Sequence, residues 1–228
     1  MRGKLIVIEG TDGSGKQTQT ELLVSRLESE GIKVKTLAFP NYDTPTGKIV
    51  GGPYLGKKEI CESFFTENAT NVDPKVASLY YAADRRYNCP QIMEWLAAGY
   101  WVILDRYTTS NMGHQGGKIK TKAERKKMFE WLHQLEHDLL ALPIPDITLL
   151  LYMPYEQAAE LKRYRSHNKL LDHHEASEEH LRNAERAYKE LAALYNWPII
   201  NCVKDNNIKT ITDTHQELYN VIKRHLNL

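Results

Sequence analysis

Short runs of Ile, Leu and Val alternate along the chain with longer stretches in which apolar residues recur every three or four positions. That alternation is the pattern of a parallel sheet wrapped by helices on both faces. Five strands are predicted, Lys4–Glu9, Lys33–Phe39, Tyr100–Leu104, Ile147–Met153 and Ile199–Cys202, each brief and aliphatic, as strands buried on both sides must be. Between them the helical period predicts Lys16–Glu30, Pro74–Ala98, Lys122–Leu140, Pro154–Arg165, Ser177–Tyr195 and Thr210–Leu226. Asp73-Pro74 reads as a cap and first helical residue, and Ser177 as the cap of the helix it opens. No repeat, low-complexity tract or linker divides the chain, so one domain over residues 1–228 is expected. Two polar segments stand out: Asn41–Val72, which holds Gly51-Gly52-Pro53, and Ser166–Ala176. Loops beside the carboxyl ends of parallel strands bind ligands, so these are candidates for a substrate cover and a lid.

Composition narrows the partners. The 228 residues carry 30 Lys and Arg against 29 Asp and Glu, a formal net charge of +1. Such balance argues against nucleic acid or an anionic membrane as partner and implies a small anionic ligand met by locally arranged cations. Cys61, Cys89 and Cys202 are far apart and form no C-x-x-C pair, which suggests neither a disulfide framework nor a zinc site and fits a reducing cytoplasm. Leu5–Ile8 is too short for a signal-peptide core, and no segment approaches the roughly 20 apolar residues of a membrane span. A soluble, cytoplasmic protein is expected.

Directly after the first strand the chain reads Gly10-Thr11-Asp12-Gly13-Ser14-Gly15-Lys16-Gln17-Thr18 and continues as a helix. This is G-x-x-x-x-G-K in the strand–loop–helix setting that the motif requires. Glycines let successive N–H groups face the β- and γ-phosphates of ATP, the helix N-terminus adds its positive dipole end, and Lys16 adds a full charge. The α/β fold predicted is therefore that of the P-loop NTPases. Gln17 stands where a Ser or Thr hydroxyl ordinarily holds Mg²⁺, so the metal is expected to rest more on carboxylates and water. An Asp12 carboxylate facing the phosphates would repel them unless it binds metal, a ligand hydroxyl or an arginine; a surface-facing side chain is the other reading.

The third strand ends in Asp105-Arg106-Tyr107-Thr108-Thr109-Ser110-Asn111. A carboxylate there can hold magnesium or its waters, and the adjacent guanidinium can grip a second phosphate bidentately; a structural ion pair would look the same. Upstream, Tyr81 and Arg85 are four apart on one helix face, a flat ring and a fork for an oxygen acceptor. Taken alone, that pair reads better as an aromatic packed into the core under a snorkelling arginine. Arg86 is rotated away towards solvent.

Together, and in this order, Gly10–Thr18, Phe39-Pro40, Tyr81 to Arg85, Asp105-Arg106-Tyr107 with Ser110, and the segment 163–176 resemble the thymidylate kinase family over nearly the whole chain. The resemblance implies a five-stranded parallel core with a lid over about residues 163–176, a homodimer, ATP on the phosphate loop and dTMP in a cleft beneath the lid. It implies that Tyr81 stacks on thymine, Arg85 bonds its carbonyl, Asn111 reads the base edge and Arg106 holds the acceptor phosphate. By the same resemblance Phe39, Pro40 and Tyr42 would line the sugar and phosphate side, while His114 and His174 stand where the family often has tyrosine near the sugar 2′ carbon. With no arginine in the phosphate loop, the chain resembles the branch whose lid carries it, with Lys162, Arg163, Arg165 and Lys169 as the cations. Asp172 and Glu175 match acidic lid positions, Glu175 beside the magnesium that Asp105 also serves; a solvated loop is the other reading of Asp172-His173-His174-Glu175. Asn41 follows Phe39-Pro40 where the family commonly has an arginine.

The chemistry so implied is transfer of the γ-phosphoryl group of ATP to dTMP, with Lys16, Asp12, Asp105, Arg106, Arg163 and Arg165 as its working residues. Two alternatives stay open: another nucleoside- or deoxynucleoside-monophosphate kinase, acting on dUMP or UMP, and a nucleotide-binding module that turns over slowly or not at all.

Overall fold

The computed structural model describes residues 2–165 and 178–228, with the side chains of residues 162–165 left aside. The lid side chains expected at Lys162, Arg163, Arg165, Lys169, Asp172, His174 and Glu175, and the Ser177 cap, therefore lie outside the described residues. Five strands form one parallel sheet: β1 (Leu5–Glu9), β2 (Val34–Ala38), β3 (Trp101–Asp105), β4 (Ile147–Tyr152) and β5 (Ile199–Asn201), in the order β2-β3-β1-β4-β5. Alternate residues of β1 feed opposite cores, as the period-2 pleat requires. Ile6 and Ile8 pack with Leu23 and Leu27 of α1 (Lys16–Ser29) and Leu218 and Ile222 of α8 (Ile211–Leu226). Leu5 and Val7 pack with Cys89, Ile92 and Leu96 of α3 (Pro74–Ala97).

Chain order reverses at β1, whose neighbours are β3 and β4, so a crevice opens beyond the carboxyl ends of β1 and β3. Register delivers three motifs to that crevice. Ile8 and Ala38 both pair with Asp105, the Arg106 N–H donates to the Ile8 carbonyl at 3.1 Å, and the Phe39 N–H donates to the Asp105 carbonyl at 3.0 Å. The phosphate loop, Asp105-Arg106 and Phe39-Pro40 thus sit side by side, the last through a cis peptide bond.

Caps explain the helix starts. The Asp73 side chain accepts from the N–H groups of Lys75 and Val76 with Pro74 in the first turn, and Thr210 accepts from Asp213 N–H ahead of α8. Where the structure departs from the sequence reading, packing is the reason. The helix expected over Lys122–Leu140 is α5 (Lys122–His133) followed by a π-helical stretch, Gln134–Leu139, which turns Glu136 inward to 0% exposure. The glycine-rich stretch after Arg106, not among the predicted helices, forms α4 (Thr108–Gly117). The polar segment after Pro40 contains α2 (Pro45–Ile49) and a π-helical turn, Val50–Tyr54. A two-stranded ribbon, β6 (Val203–Lys204) and β7 (Asn207–Ile208), turns at Asp205 and Asn206, both at positive φ. The two remaining helices are α6 (Tyr155–Arg165) and α7 (Glu178–Tyr195).

α4 is helical despite its glycines because neighbours need the space. A Cβ on Gly113 would stand 2.5 Å from the Tyr188 ring of α7, and one on Gly116 would stand 2.4 Å from the Phe129 ring of α5. The bare backbone lets both aromatic rings close onto α4, which outweighs the glycine entropy cost. Gly113→Ala is expected to lower stability by about 1–3 kcal/mol, read as a fall in urea midpoint at constant m-value; an unchanged midpoint would show that Tyr188 can step aside.

Candidate active site

The phosphate loop is shaped by backbone that only glycine adopts readily: Gly10, Gly13 and Gly15 have φ of 152°, 84° and 86°. At Gly10 a Cβ would also lie 2.5 Å from the Leu151 carbonyl of β4. Lys16 opens α1 and is buried, its Nζ donating to the carbonyls of Gly10 and Thr11 at 3.0 Å each. Burial, and then the Arg106 charge, lower its pKa to about 8. Ser14 Oγ is buried and without a hydrogen-bond partner among the described residues. Thr11 is buried and Thr18 half-buried. Gln17 does not turn into the loop; its amide donates to Glu21 at 3.0 Å on the exposed side of α1.

Arg106 follows β3 directly. Its backbone is left-handed, φ 69°, which bends the chain sharply between β3 and α4. Its guanidinium reaches Asp12 of the phosphate loop through Nη2, and His114 Nε2 through Nη1 at 3.1 Å, with Ser110 Oγ and Tyr188 Oη each 3.5 Å from Nη1. Burial disfavours its charge, but Asp12, Tyr188, Glu9 and Asp105 more than offset that, so its pKa is raised. Asp105 is held above the usual carboxylate range by burial, against the pull of Lys16 and Arg106. Its Oδ1 is buried with no partner among the described residues.

Glu9, which the sequence reading treated only as the end of a strand, anchors this region. It is 0% exposed and accepts four hydrogen bonds, from Tyr107 N–H (3.0 Å), Thr109 Oγ1 (2.6 Å), Ser110 Oγ (2.8 Å) and Tyr188 Oη (2.9 Å). No motif marks it, because three donors come from a segment about 100 residues away and the fourth from α7.

A cavity of about 360 Å³ adjoins Arg106. Phe39, Pro40, Tyr42, Tyr81, Arg85, Ser110, Asn111 and His114 all line it with Asp12 and Arg106. Tyr81 meets Tyr54 edge-on with centroids 5.6 Å apart, and Tyr54 stacks on Tyr80 at 5.5 Å, which builds an aromatic wall. Arg85 and Asn111 share an internal partner that was not foreseen. Arg85 donates to Glu136 through Nε (2.5 Å) and Nη2 (2.8 Å), and the Asn111 amide donates to Glu136 (2.8 Å) and to the Ser78 carbonyl (3.2 Å). The side chains of Arg85 and Glu136 are 2% and 0% exposed, so Arg85 does not snorkel. Asn41 lies against α3, bonded to Asp84 and Asn88, and is not among the cavity's lining residues. Lining residues that sequence reasoning missed include Tyr54, Lys57, Gln115, Lys118 and His180. Lys57 sits 3.9 Å above the Tyr42 ring, and His180 stacks on His114. The four-residue interval between His114 and Lys118 was a usable signal, hidden by the glycines between them.

A strand–phosphate loop–helix unit joined through Asp12–Arg106 to a second, aromatic-walled cavity defines a P-loop NTPase fold with adjoining donor and acceptor sites, the arrangement of a nucleotide phosphotransferase. The family model described as thymidylate kinase matches residues 8–217. A thymidylate kinase of Prochlorococcus marinus is 31% identical over 224 residues, covering 98% of this chain and 99% of that protein. One from Mycobacterium tuberculosis is 32% identical over 193 residues, 83% of this chain and 86% of its own length. The solved structure of thymidylate kinase from Candida albicans superposes with a TM-score of 0.72 at 27% identity, covering 99% of this chain and 93% of that one. The chain belongs to the thymidylate kinase family.

Glu136→Ala would leave the Arg85 charge buried and unpaired, a loss expected to cost about 3–5 kcal/mol. Chemical denaturation would measure it, and a loss below about 1 kcal/mol would mean that the pair is solvated.

Proposed function

We propose that this chain transfers the γ-phosphoryl group of ATP to thymidine 5′-monophosphate, giving dTDP and ADP. Family membership supports the activity. The observation that carries the residue assignments is Arg106, which spans the junction between phosphate loop and acceptor cavity, bonded to Asp12 on one side and facing Ser110 and His114 on the other. Lys16 now satisfies two loop carbonyls; the γ-phosphate is a stronger acceptor at the same place and would draw its Nζ away from them.

The attacking atom is an oxygen of a phosphate monoester whose second pKa is about 6, so it is ionised at neutral pH and no side chain has to remove a proton. The work of the site is to hold two anions in line and balance the charge on the transferring group. Arg106 grips the acceptor phosphate, Lys16 and the loop N–H groups grip the donor, and Arg163 and Arg165 add lid cations in our reading. Tyr81 stacks on the base, Arg85 and Asn111 face its edge from their anchorage on Glu136, and Phe39, Pro40, Tyr42 and His114 border the sugar and phosphate.

Phosphotransfer of this kind generally needs a divalent metal. The orphaned buried oxygen of Asp105 fits a hard cation that takes oxygen ligands, and no cluster of three or more His, Cys, Asp or Glu among the described residues could hold one without help. Asp105, with Glu175 in our reading, would hold Mg²⁺ together with phosphate oxygens and water. When bound, Mg²⁺ supplies charge neutralisation on the phosphates of ATP.

No helix among the described residues is long and apolar enough to cross a membrane, and we read the protein as cytoplasmic. We also read it as a homodimer: α3 leaves Val76, Leu79, Tyr87 and Met93 exposed on one side, an apolar face that a second copy would cover.

ADP formation from ATP is expected to require Mg²⁺ and dTMP, with dUMP trailing by about 10–200-fold because one methyl group is worth only 1–3 kcal/mol. In the same assay Arg106→Ala should raise the KM for dTMP at least tenfold and leave that for ATP within about twofold. Turnover of another monophosphate in preference would replace the substrate, and ATP hydrolysis indifferent to acceptor would favour the binding-module reading. Light scattering should return about twice the 26.3 kDa chain mass, and Leu79→Glu should return the chain mass itself; a monomeric wild type would remove the dimer.

A further inference from the structure

His114 of α4 and His180 of α7 stack with centroids 5.5 Å apart and planes at 20°, and both line the acceptor cavity. His114 Nε2 lies 3.1 Å from Arg106 Nη1, and His114 Nδ1 lies 3.4 Å from His180 Nε2. A guanidinium has donors only, so His114 Nε2 has to accept and carries no proton. The proton of that neutral ring is then on Nδ1, where it donates to His180 Nε2. His180 Nε2 must therefore be bare as well, and its proton sits on its own Nδ1. The contacts thus select one tautomer for each ring and one direction for the chain, Arg106 to His114 to His180.

We infer that His114 and His180 act as a tautomer-matched pair of positioning residues that orients Arg106 for the acceptor phosphate. Asp12 holds Nη2 of the guanidinium and His114 holds Nη1, so the planar fork is constrained from two sides. His180 acts one step removed: by accepting from Nδ1 it keeps Nε2 of His114 free to accept, whereas the other tautomer would set a donor against a donor. Tyr188 closes the pair edge-on at 5.7 Å from His114. Burial, then Arg106 and His180, hold the His114 pKa well below the usual imidazole value, and burial with Lys118 lowers that of His180 to about 4. Both rings are accordingly neutral at physiological pH, as the contacts require. The inference rests on the reading of Arg106 as the acceptor-phosphate cation.

The test separates the hydrogen bond from the ring. His180→Phe keeps a stacked ring but removes the acceptor; His180→Gln keeps an acceptor near the position of Nε2 but removes the ring. At saturating ATP, His180→Phe is expected to raise the KM for dTMP about three- to tenfold, with the KM for ATP within about twofold, and His180→Gln to recover most of that loss. Equal impairment in both variants, or a His180→Phe enzyme indistinguishable from wild type, would overturn the proposal. Long-range ¹H–¹⁵N spectra of the histidines, assigned with these variants, read the tautomers in the wild-type protein even should a variant fold poorly. Nδ1–H on both rings is expected, and Nε2–H or imidazolium at His114 would overturn it. If Arg106→Ala leaves the KM for dTMP unchanged, the assignment of Arg106 falls; if it raises that KM while His180→Phe does not, only the histidine pair falls.

Discussion

A buried carboxylate that has to be satisfied organises the rest of this molecule. Glu9 ends β1 at 0% exposure, and an unpartnered charge there would be untenable in a low-dielectric interior. Its two oxygens are met by four donors, one backbone N–H and three hydroxyls, drawn from the start of α4 and from α7. Three of these bonds tie the start of α4, and the fourth ties α7, to the strand that leads into the phosphate loop. Arg106 precedes the first of these hydrogen-bond donors, Tyr107, and Gly10 follows Glu9, so Arg106 and the phosphate loop are built on one frame. Preorganisation of this kind lets fixed charges act on a transition state without reorganising at the moment of transfer.

The charges themselves are held in waiting. The chain is nearly neutral as a whole, yet burial, and then the nearby Arg106 charge, disfavour a proton on Lys16. Internal acceptors meet both: loop carbonyls for Lys16, Asp12 and a bare imidazole nitrogen for Arg106. Arg85 differs. Its bidentate partner Glu136 is deeper and fully buried, so that guanidinium is locked as scaffold while still bordering the cavity.

Close approach of helices makes the cavity possible. The cavity wall formed by α4 carries Ser110, Asn111, His114 and Gln115, with Lys118 just past its end, while its glycines admit Tyr188 and Phe129. A π-helical stretch after α5 delivers Glu136, and another at Val50–Tyr54 delivers Tyr54 to the aromatic wall. One irregularity brings Tyr54 to the cavity and the other brings Glu136 behind it, against Arg85 and Asn111; such insertions are common near functional sites.

The residues alone determined the sheet, its five strands and the phosphate loop, because burial on both faces forces aliphatic runs and phosphate binding forces glycines at a set spacing before a lysine. The family resemblance carried by the motifs pointed further, to Phe39, Tyr42, Tyr81, Arg106, Ser110, Asn111 and His114, which the fold gathers around one cavity. What they could not disclose was which polar groups satisfy one another. Glu9 with Tyr188, Arg85 with Glu136, and His114 with His180 are separated by 179, 51 and 66 positions. Pairings at such range leave no local period, and the helix that presents several of them is written in glycines, whose propensity says loop. Only tertiary packing decided those partners, because the cost of an unpaired buried charge or donor exists only once the core has closed around it.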